Sequence, residues 1–245
     1  MMKPSQAELE VLLDAEALAE AAAAWLTELA RSSDGRIAIA LAGGSTPKRF
    51  YERLAAPGFR DAFPWSRTHW FWGDERFAPH DDPRSNFLMA RKALLSQAPI
   101  PQANIHPIPT TGLTPQAAAE AYEQELKFFY GADHLEASRP LFDAVILGLG
   151  DNGHTASLMP DAPALSERRR WVIEVVGAAP ETRITLTYPA LESARETAFL
   201  VVGGGKKSVL TRLRADDASI PAGRLRPEGP LRIFADVEAA GTVLG

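Results

Sequence analysis

A chain of 245 residues, 46% of them hydrophobic and 23% charged, has ample apolar material for a full core, as one large domain or two small ones. Its formal net charge of −5 offers no basic stripe for nucleic acid or for an anionic membrane surface. The absence of cysteine excludes disulfides, thiolate metal sites and a cysteine nucleophile, and it fits a reducing compartment.

The opening stretch, MMKPSQAELEVLLDAEALAEAAAAWL, is acidic and amphipathic. It lacks the basic segment and uninterrupted apolar run of a signal peptide, and no apolar run reaches membrane-spanning length, so a soluble cytoplasmic protein is expected. Gln6 to Arg31 reads as one alanine-rich helix with an apolar and a charged face, stopped at Ser32-Ser33-Asp34-Gly35. Arg36 to Leu41 reads as a short buried strand. It runs into Ala42-Gly43-Gly44-Ser45-Thr46-Pro47 and a helix from Lys48 to Ala55, with Pro47 suited to the first helical turn. A strand, a glycine turn with two hydroxyls and a helix N-terminus can receive a phosphate. The same pattern also describes a tight strand-to-helix turn with Ser or Thr as N-cap.

Thr68 to Trp72 is an aromatic strand that ends in Gly73-Asp74-Glu75-Arg76, three charges that serve either a solvated loop or a site. A turn at residues 81–86, a helix from Phe87 to Leu95 and a proline-broken irregular stretch from Ala98 to Thr111 follow. Thr114 and Pro115 start a helix that runs to Tyr130. Phe142 to Leu147 is a buried strand. After it come a glycine-rich turn (Gly148, Gly150, Gly153) and a short helical segment expected to open at His154. Arg168-Arg169-Arg170 reads as a solvated face. Strands are expected at 171–176, 183–187 and 198–202. Gly203-Gly204-Gly205-Lys206 then opens a helix from Lys207 to Arg214, residues 215–230 form a polar loop, and 231–235 a last strand. Strands alternating with helices, several ending in glycine turns, predict one doubly wound α/β domain over residues 1–245, Rossmann-like, with a mostly parallel sheet and helices on both faces.

Gly148-Leu149-Gly150-Asp151-Asn152-Gly153 matches the dinucleotide fingerprint, with Glu174 at a fitting separation for a ribose-binding acid. Three features weigh against that reading. Pro160 leaves barely two turns for the crossover helix, the motif begins past the midpoint of the chain, and a histidine follows the third glycine. Gly205-Lys206-Lys207-Ser208 lacks P-loop spacing. Lys206 at a helix start opposes the dipole unless an anion sits nearby; otherwise it is a snorkelling surface lysine. Gly43 to Pro47 is not a nucleophile elbow, because proline replaces the second flanking glycine. The histidines at 69, 80, 106, 134 and 154 show no metal-ligand spacing, so neither metal nor cofactor is expected. His154 alone follows a glycine turn at a strand's carboxyl end. One histidine, an Asp–Glu–Arg cluster, a phosphate-type turn and a helix-opening lysine, each after a strand, suggest hydrolysis or isomerisation of a small phosphorylated substrate.

Five blocks carry a resemblance: L-A-G-G-S-T-P (41–47), F-W-G-D-E-R (71–76) with Ser85–Asn86, G-L-G-x-x-G-H-T-A-S-L-x-P (148–160), R-I-T-L-T-Y-P (183–189) and G-G-G-K (203–206). In this order they closely resemble the 6-phosphogluconolactonase family, within a superfamily of sugar-phosphate isomerase type that includes glucosamine-6-phosphate deaminase. The resemblance implies opening of 6-phospho-D-glucono-1,5-lactone by water to 6-phosphogluconate, in the oxidative pentose phosphate pathway, by a monomer or weak homo-oligomer. It implies His154 as general base, Asp74 and Arg76 as its catalytic partners, and a binding loop of Gly43, Gly44, Ser45 and Thr46. Arg183 and Lys206 are implied to bind the phosphate, with Asn152 and Gly153 among the substrate-binding residues. The deaminase branch carries a glutamate five residues after the histidine, where this chain has Met159. The chain also departs from the lactonase pattern, which usually has aspartate where Asn152 stands. Related sugar-phosphate sensors add a DNA-binding module, for which the forty residues before Leu41 carry no helix-turn-helix signal.

Overall fold

In the computed structural model, which describes residues 7–177 and 180–241, two sheets share one contiguous apolar core. The strands are β1 (Glu8–Leu12), β2 (Ile37–Leu41), β3 (Thr68–Trp72), β4 (Asp74–Arg76), β5 (Phe142–Gly148), β6 (Val172–Val175), β7 (Arg183–Leu186), β8 (Ala194–Val201) and β9 (Leu231–Asp236). The helices are α1 (Ala15–Ser32), α2 (Ser45–Leu54), α3 (Phe59–Ala62), α4 (Asn86–Ala90), α5 (Pro115–Tyr130), α6 (Tyr188–Glu192), α7 (Lys207–Arg214) and α8 (Val237–Ala240).

Six strands form a parallel sheet in the order β1-β9-β8-β5-β2-β3. All five residues of β2 are buried, as are four consecutive residues of β5, Ala144 to Leu147, so both faces of the sheet centre are covered. From β2 the chain moves outward to β3. From β5 it moves the other way, to β8. The carboxyl ends of β2 and β5 therefore flank a switch point, where an open parallel sheet leaves a crevice.

Gly73 transfers the chain from this sheet to a second one. Its N–H donates to the Leu41 carbonyl at 2.8 Å, and its own carbonyl accepts from Leu186 N at 2.8 Å. The next three residues become β4 of an antiparallel sheet, β4-β7-β6, in which Asp74 faces Thr185 and Arg76 faces Arg183. The strands expected at 171–176 and 183–187 thus lie outside the parallel sheet, and the second sheet overhangs its carboxyl edge.

Three expectations need correction. Residues 8–31 are not one helix (Gln6 lies outside the described residues). Glu-Leu-Glu-Val-Leu alternates with period two and pairs in parallel with β9, and the Asp14 side chain then caps α1 by accepting from Glu16 N and Ala17 N at 2.9 Å. No helix opens at His154. Residues 155–158 close a tight turn, with Leu158 N donating to Thr155 O at 3.0 Å and Ala156 at φ 47°. The helix after Ser85 runs from Asn86 to Ala90 and then widens into a π-helical turn over Arg91–Leu95.

Candidate active site

A cavity of about 390 Å³ opens over the switch point, lined by Gly43, Gly44, Ser45 and Thr46 after β2, by Gly148 to Asp151 and His154 after β5, and by Lys206 after β8. The second sheet contributes Asp74, Arg76 and Arg183 to the same walls. Nine of the eleven residues singled out in the sequence meet there. The other two, Asn152 and Gly153, do not line the cavity.

Asn152 is behind the histidine rather than in front of it. Its Oδ1 accepts from the His154 backbone N–H at 3.2 Å and lies 2.6 Å from His154 Nδ1. A backbone N–H only donates, so the amide atom shared by both contacts is oxygen, and Nδ1 must carry the proton. Nε2 then holds the free lone pair of a neutral imidazole. Gly153, at φ 83°, turns the chain into this contact; a Cβ there would stand 2.5 Å from Ile220 Cβ. Gly150 is needed for a different reason. A Cβ at that position would lie 2.1 Å from the imidazole Cε1 and Nδ1, so the ring packs directly on the glycine.

Burial is the first cause that lowers the His154 pKa below its ordinary value. Asp74 pulls it upward, Arg183 and Lys206 push it down, and Asp151 pulls it up. No helix dipole contributes, since no helix begins there.

Asp74 is buried and held from two sides. Ser157 Oγ donates to its Oδ2 at 2.6 Å, and Asn86 Nδ2 donates to its carbonyl at 2.9 Å. Arg183 Nη1 stands 3.9 Å from the same Oδ2. Arg76 Nη1 donates to Asn86 Oδ1 at 2.5 Å and to Arg84 O at 2.8 Å, which fixes one edge of its guanidinium; among the described residues no carboxylate pairs with it. Glu75, between them in sequence, faces away from the cavity. Its carboxylate accepts from the backbone N–H groups of Arg76, Asn86 and Phe87 at 2.8 Å and from Ser85 Oγ at 2.9 Å, which binds the Ser85–Asn86 turn to β4.

Two groups suited to a dianion face the cavity. Gly44, at φ 104°, ends the β2 turn, and α2 begins with no side-chain cap. Ser45 and Thr46, which carry the first N–H groups of α2 and two hydroxyls, line the cavity, a helix start of the kind that suits an anion. Across from them, Lys206 Nζ meets Asp151 Oδ1 at 2.5 Å; Asp151 is 84% exposed, so the pair is weak and exchangeable. The Arg183 Nε atom is buried and has no hydrogen-bond partner among the described residues.

Sequence reasoning assigned no role to Asn86 or Ser157. Asn86 stands so close to Gly43 that a Cβ there would lie 1.9 Å from its Oδ1. Both residues act through partners about ten to eighty positions away, and only Ser85–Asn86 in its motif gave a signal. Met159 is buried in the apolar core and does not line the cavity. Glu174 is on β6 and pairs with Arg170, outside the cavity, so the dinucleotide reading fails.

Residues 13–233 match the family model described as glucosamine-6-phosphate isomerases/6-phosphogluconolactonase. The 6-phosphogluconolactonase of Synechocystis sp. is 42% identical over 239 residues, covering 95% of this chain and 96% of its own. That of Nostoc sp. is 43% identical, covering 96% of this chain and 98% of its own. Among solved structures, 6-phosphogluconolactonase from Trypanosoma brucei superposes with a TM-score of 0.84 at 31% identity, covering all of both chains. Sheet order, switch-point cavity and sequence kinship agree, and the chain belongs to the glucosamine-6-phosphate isomerase/6-phosphogluconolactonase family.

Proposed function

We propose that this protein hydrolyses 6-phospho-D-glucono-1,5-lactone to 6-phospho-D-gluconate, with His154 as general base. The observation that carries this reading is the Asn152 contact, which leaves a neutral Nε2 in a cavity otherwise dominated by anion-binding groups. The names of the Synechocystis, Nostoc and Trypanosoma relatives support the reaction class.

The substrate's phosphate binds between the α2 N-terminus, Lys206 and Arg183, which anchors the sugar and orients C1 toward the histidine. Water attacks C1 as its proton passes to Nε2, a step to which a positioned base contributes about 10²–10⁴-fold. The oxyanion that forms is met by Arg76, held ready by Asn86 and the Arg84 carbonyl. Asp74 stabilises the transient imidazolium. The C1–O5 bond then breaks, O5 takes the proton from His154, and the new acid ionises to a carboxylate. A polarised ester carbonyl requires neither a metal nor a covalent intermediate.

The deaminase reaction needs an acid beside the histidine for ring opening, and the position where that branch carries one is Met159, buried away from the cavity. A paired assay separates the two. Freshly generated lactone is followed with spontaneous opening subtracted, beside ammonia release from glucosamine 6-phosphate. Lactone opening without ammonia is expected. Ammonia release would overturn the assignment, and binding of sugar phosphates without turnover would point to a sensor.

A further inference from the structure

A second cavity of about 340 Å³ adjoins the first and shares its Arg76–Asn86 and Arg183 wall. It is lined by four cations, Lys48, Arg76, Arg84 and Arg183, against one carboxylate, Glu181. Glu181 is already engaged, 3.4 Å from Arg84 and 3.6 Å from Arg183. Arg84 is forked onto Asp82, Nε to Oδ1 at 3.0 Å and Nη2 to Oδ2 at 2.8 Å, and turns its Nη1 toward Glu181, so it stands at the cleft as a positioned cation. Lys48 pairs with Glu52 at 3.5 Å with both side chains about half exposed, and that pair exchanges readily. Arg76 has no carboxylate partner among the described residues, so a fixed cation stands between the two cavities.

The reaction itself supplies an anion at that wall. On the function proposed above, C1 is neutral in the lactone and a carboxylate in the product. Opening the ring also frees the chain to extend. Asp74 in the first cavity repels the new charge, whereas the second cavity attracts it. We infer that the Lys48–Arg84 cleft is a product subsite, which draws the new C1 carboxylate past Arg76 and makes the enzyme hold its open-chain product better than a neutral-ended analogue.

Binding can be measured independently of turnover. By calorimetry, 6-phosphogluconate is compared with glucitol 6-phosphate, which keeps the open chain and the phosphate but lacks the carboxylate. The native protein should prefer 6-phosphogluconate, and Lys48→Ala and Arg84→Ala should each weaken its binding about two- to fivefold. Glucitol 6-phosphate binding should stay unchanged in both variants and the KM for lactone unchanged in Lys48→Ala, and the preference should shrink as salt rises. Equal binding of both ligands by the native protein, or unchanged preference in the double variant, would overturn the inference. Proportional weakening of both ligands would assign the cleft to the phosphate and would overturn it too. A retained preference without lactone hydrolysis would instead refute the function proposed above and leave an open-chain sugar-acid phosphate site.

Discussion

Several influences act on the imidazole of His154. Burial, Arg183 and Lys206 lower its pKa, Asp74 and Asp151 raise it, and Asn152 fixes which nitrogen is free. The downward influences prevail and hold the imidazole below its ordinary pKa, so on the proposed mechanism kcat/KM should rise with pH through a midpoint below the ordinary histidine value of about 6.5. Removing the largest upward influence has a determined sign. Asp74→Asn should move that midpoint lower still and reduce the plateau about tenfold, through loss of the charge facing the imidazolium. A pH–rate profile of both proteins checks this, and a midpoint that moved upward would contradict the role given to Asp74. At this scale the sequence was informative about the histidine, the acid, the arginine and the lysine, because each ends a strand or its turn. It was uninformative about Asn86 and Ser157, whose partners are brought to them only by the fold, and it placed Asn152 on the substrate side because spacing does not reveal direction.

Strand β4 is three residues long, yet it gives the cavity Asp74 and Arg76 and attaches them to β7. Its other anchor is Glu75, whose two carboxylate oxygens each accept two donors from the 85–87 turn and from β4 itself. Glu75→Gln sets an amide N–H₂ against donors that then have no acceptor. The expected loss of stability is about 2 kcal/mol. Because the Asn86 tether to Arg76 loosens as well, kcat should fall while KM changes little. Urea unfolding beside steady-state kinetics tests both parts, and a fully stable variant would show that the turn is held by other contacts. The elements that were misread fail for identifiable reasons. In residues 8–31 the alanine-rich run dominates the helical pattern, although Glu8–Leu12 alternates and Asp14 marks the true start. After Gly153 the short polar run resembles a helix N-terminus, but Leu158 N turns back to Thr155 O and closes the turn first.

The molecule is acidic overall, −5 by sequence, while its cavity gathers Arg76, Arg183, Lys206 and an uncapped helix N-terminus. Negative charge is therefore accepted at this cavity and the cleft beside it, on a molecule whose net charge repels it. Lys206→Glu should lower kcat/KM for the phosphorylated lactone about 100-fold, through loss of a charged contact and added repulsion, and leave unphosphorylated gluconolactone nearly unaffected. Equal losses on both would remove Lys206 from phosphate binding. The parallel sheet was legible in the alternation of strands and helices. The second sheet was not, because β4 and β7 are separated by more than a hundred residues and no local pattern encodes their pairing. Yet that pairing brings Asp74, Arg76 and Arg183 over the switch point.

In the proposed mechanism His154 Nε2 takes the proton from the attacking water. The deciding measurement is the rate of opening of freshly generated 6-phosphogluconolactone, with spontaneous hydrolysis subtracted, for the native protein and for a folded His154→Ala variant. The expected result is a kcat lower by about 10²–10⁴-fold, with KM held within a few-fold by the intact phosphate groups. A folded variant that kept most of its activity would contradict the claim.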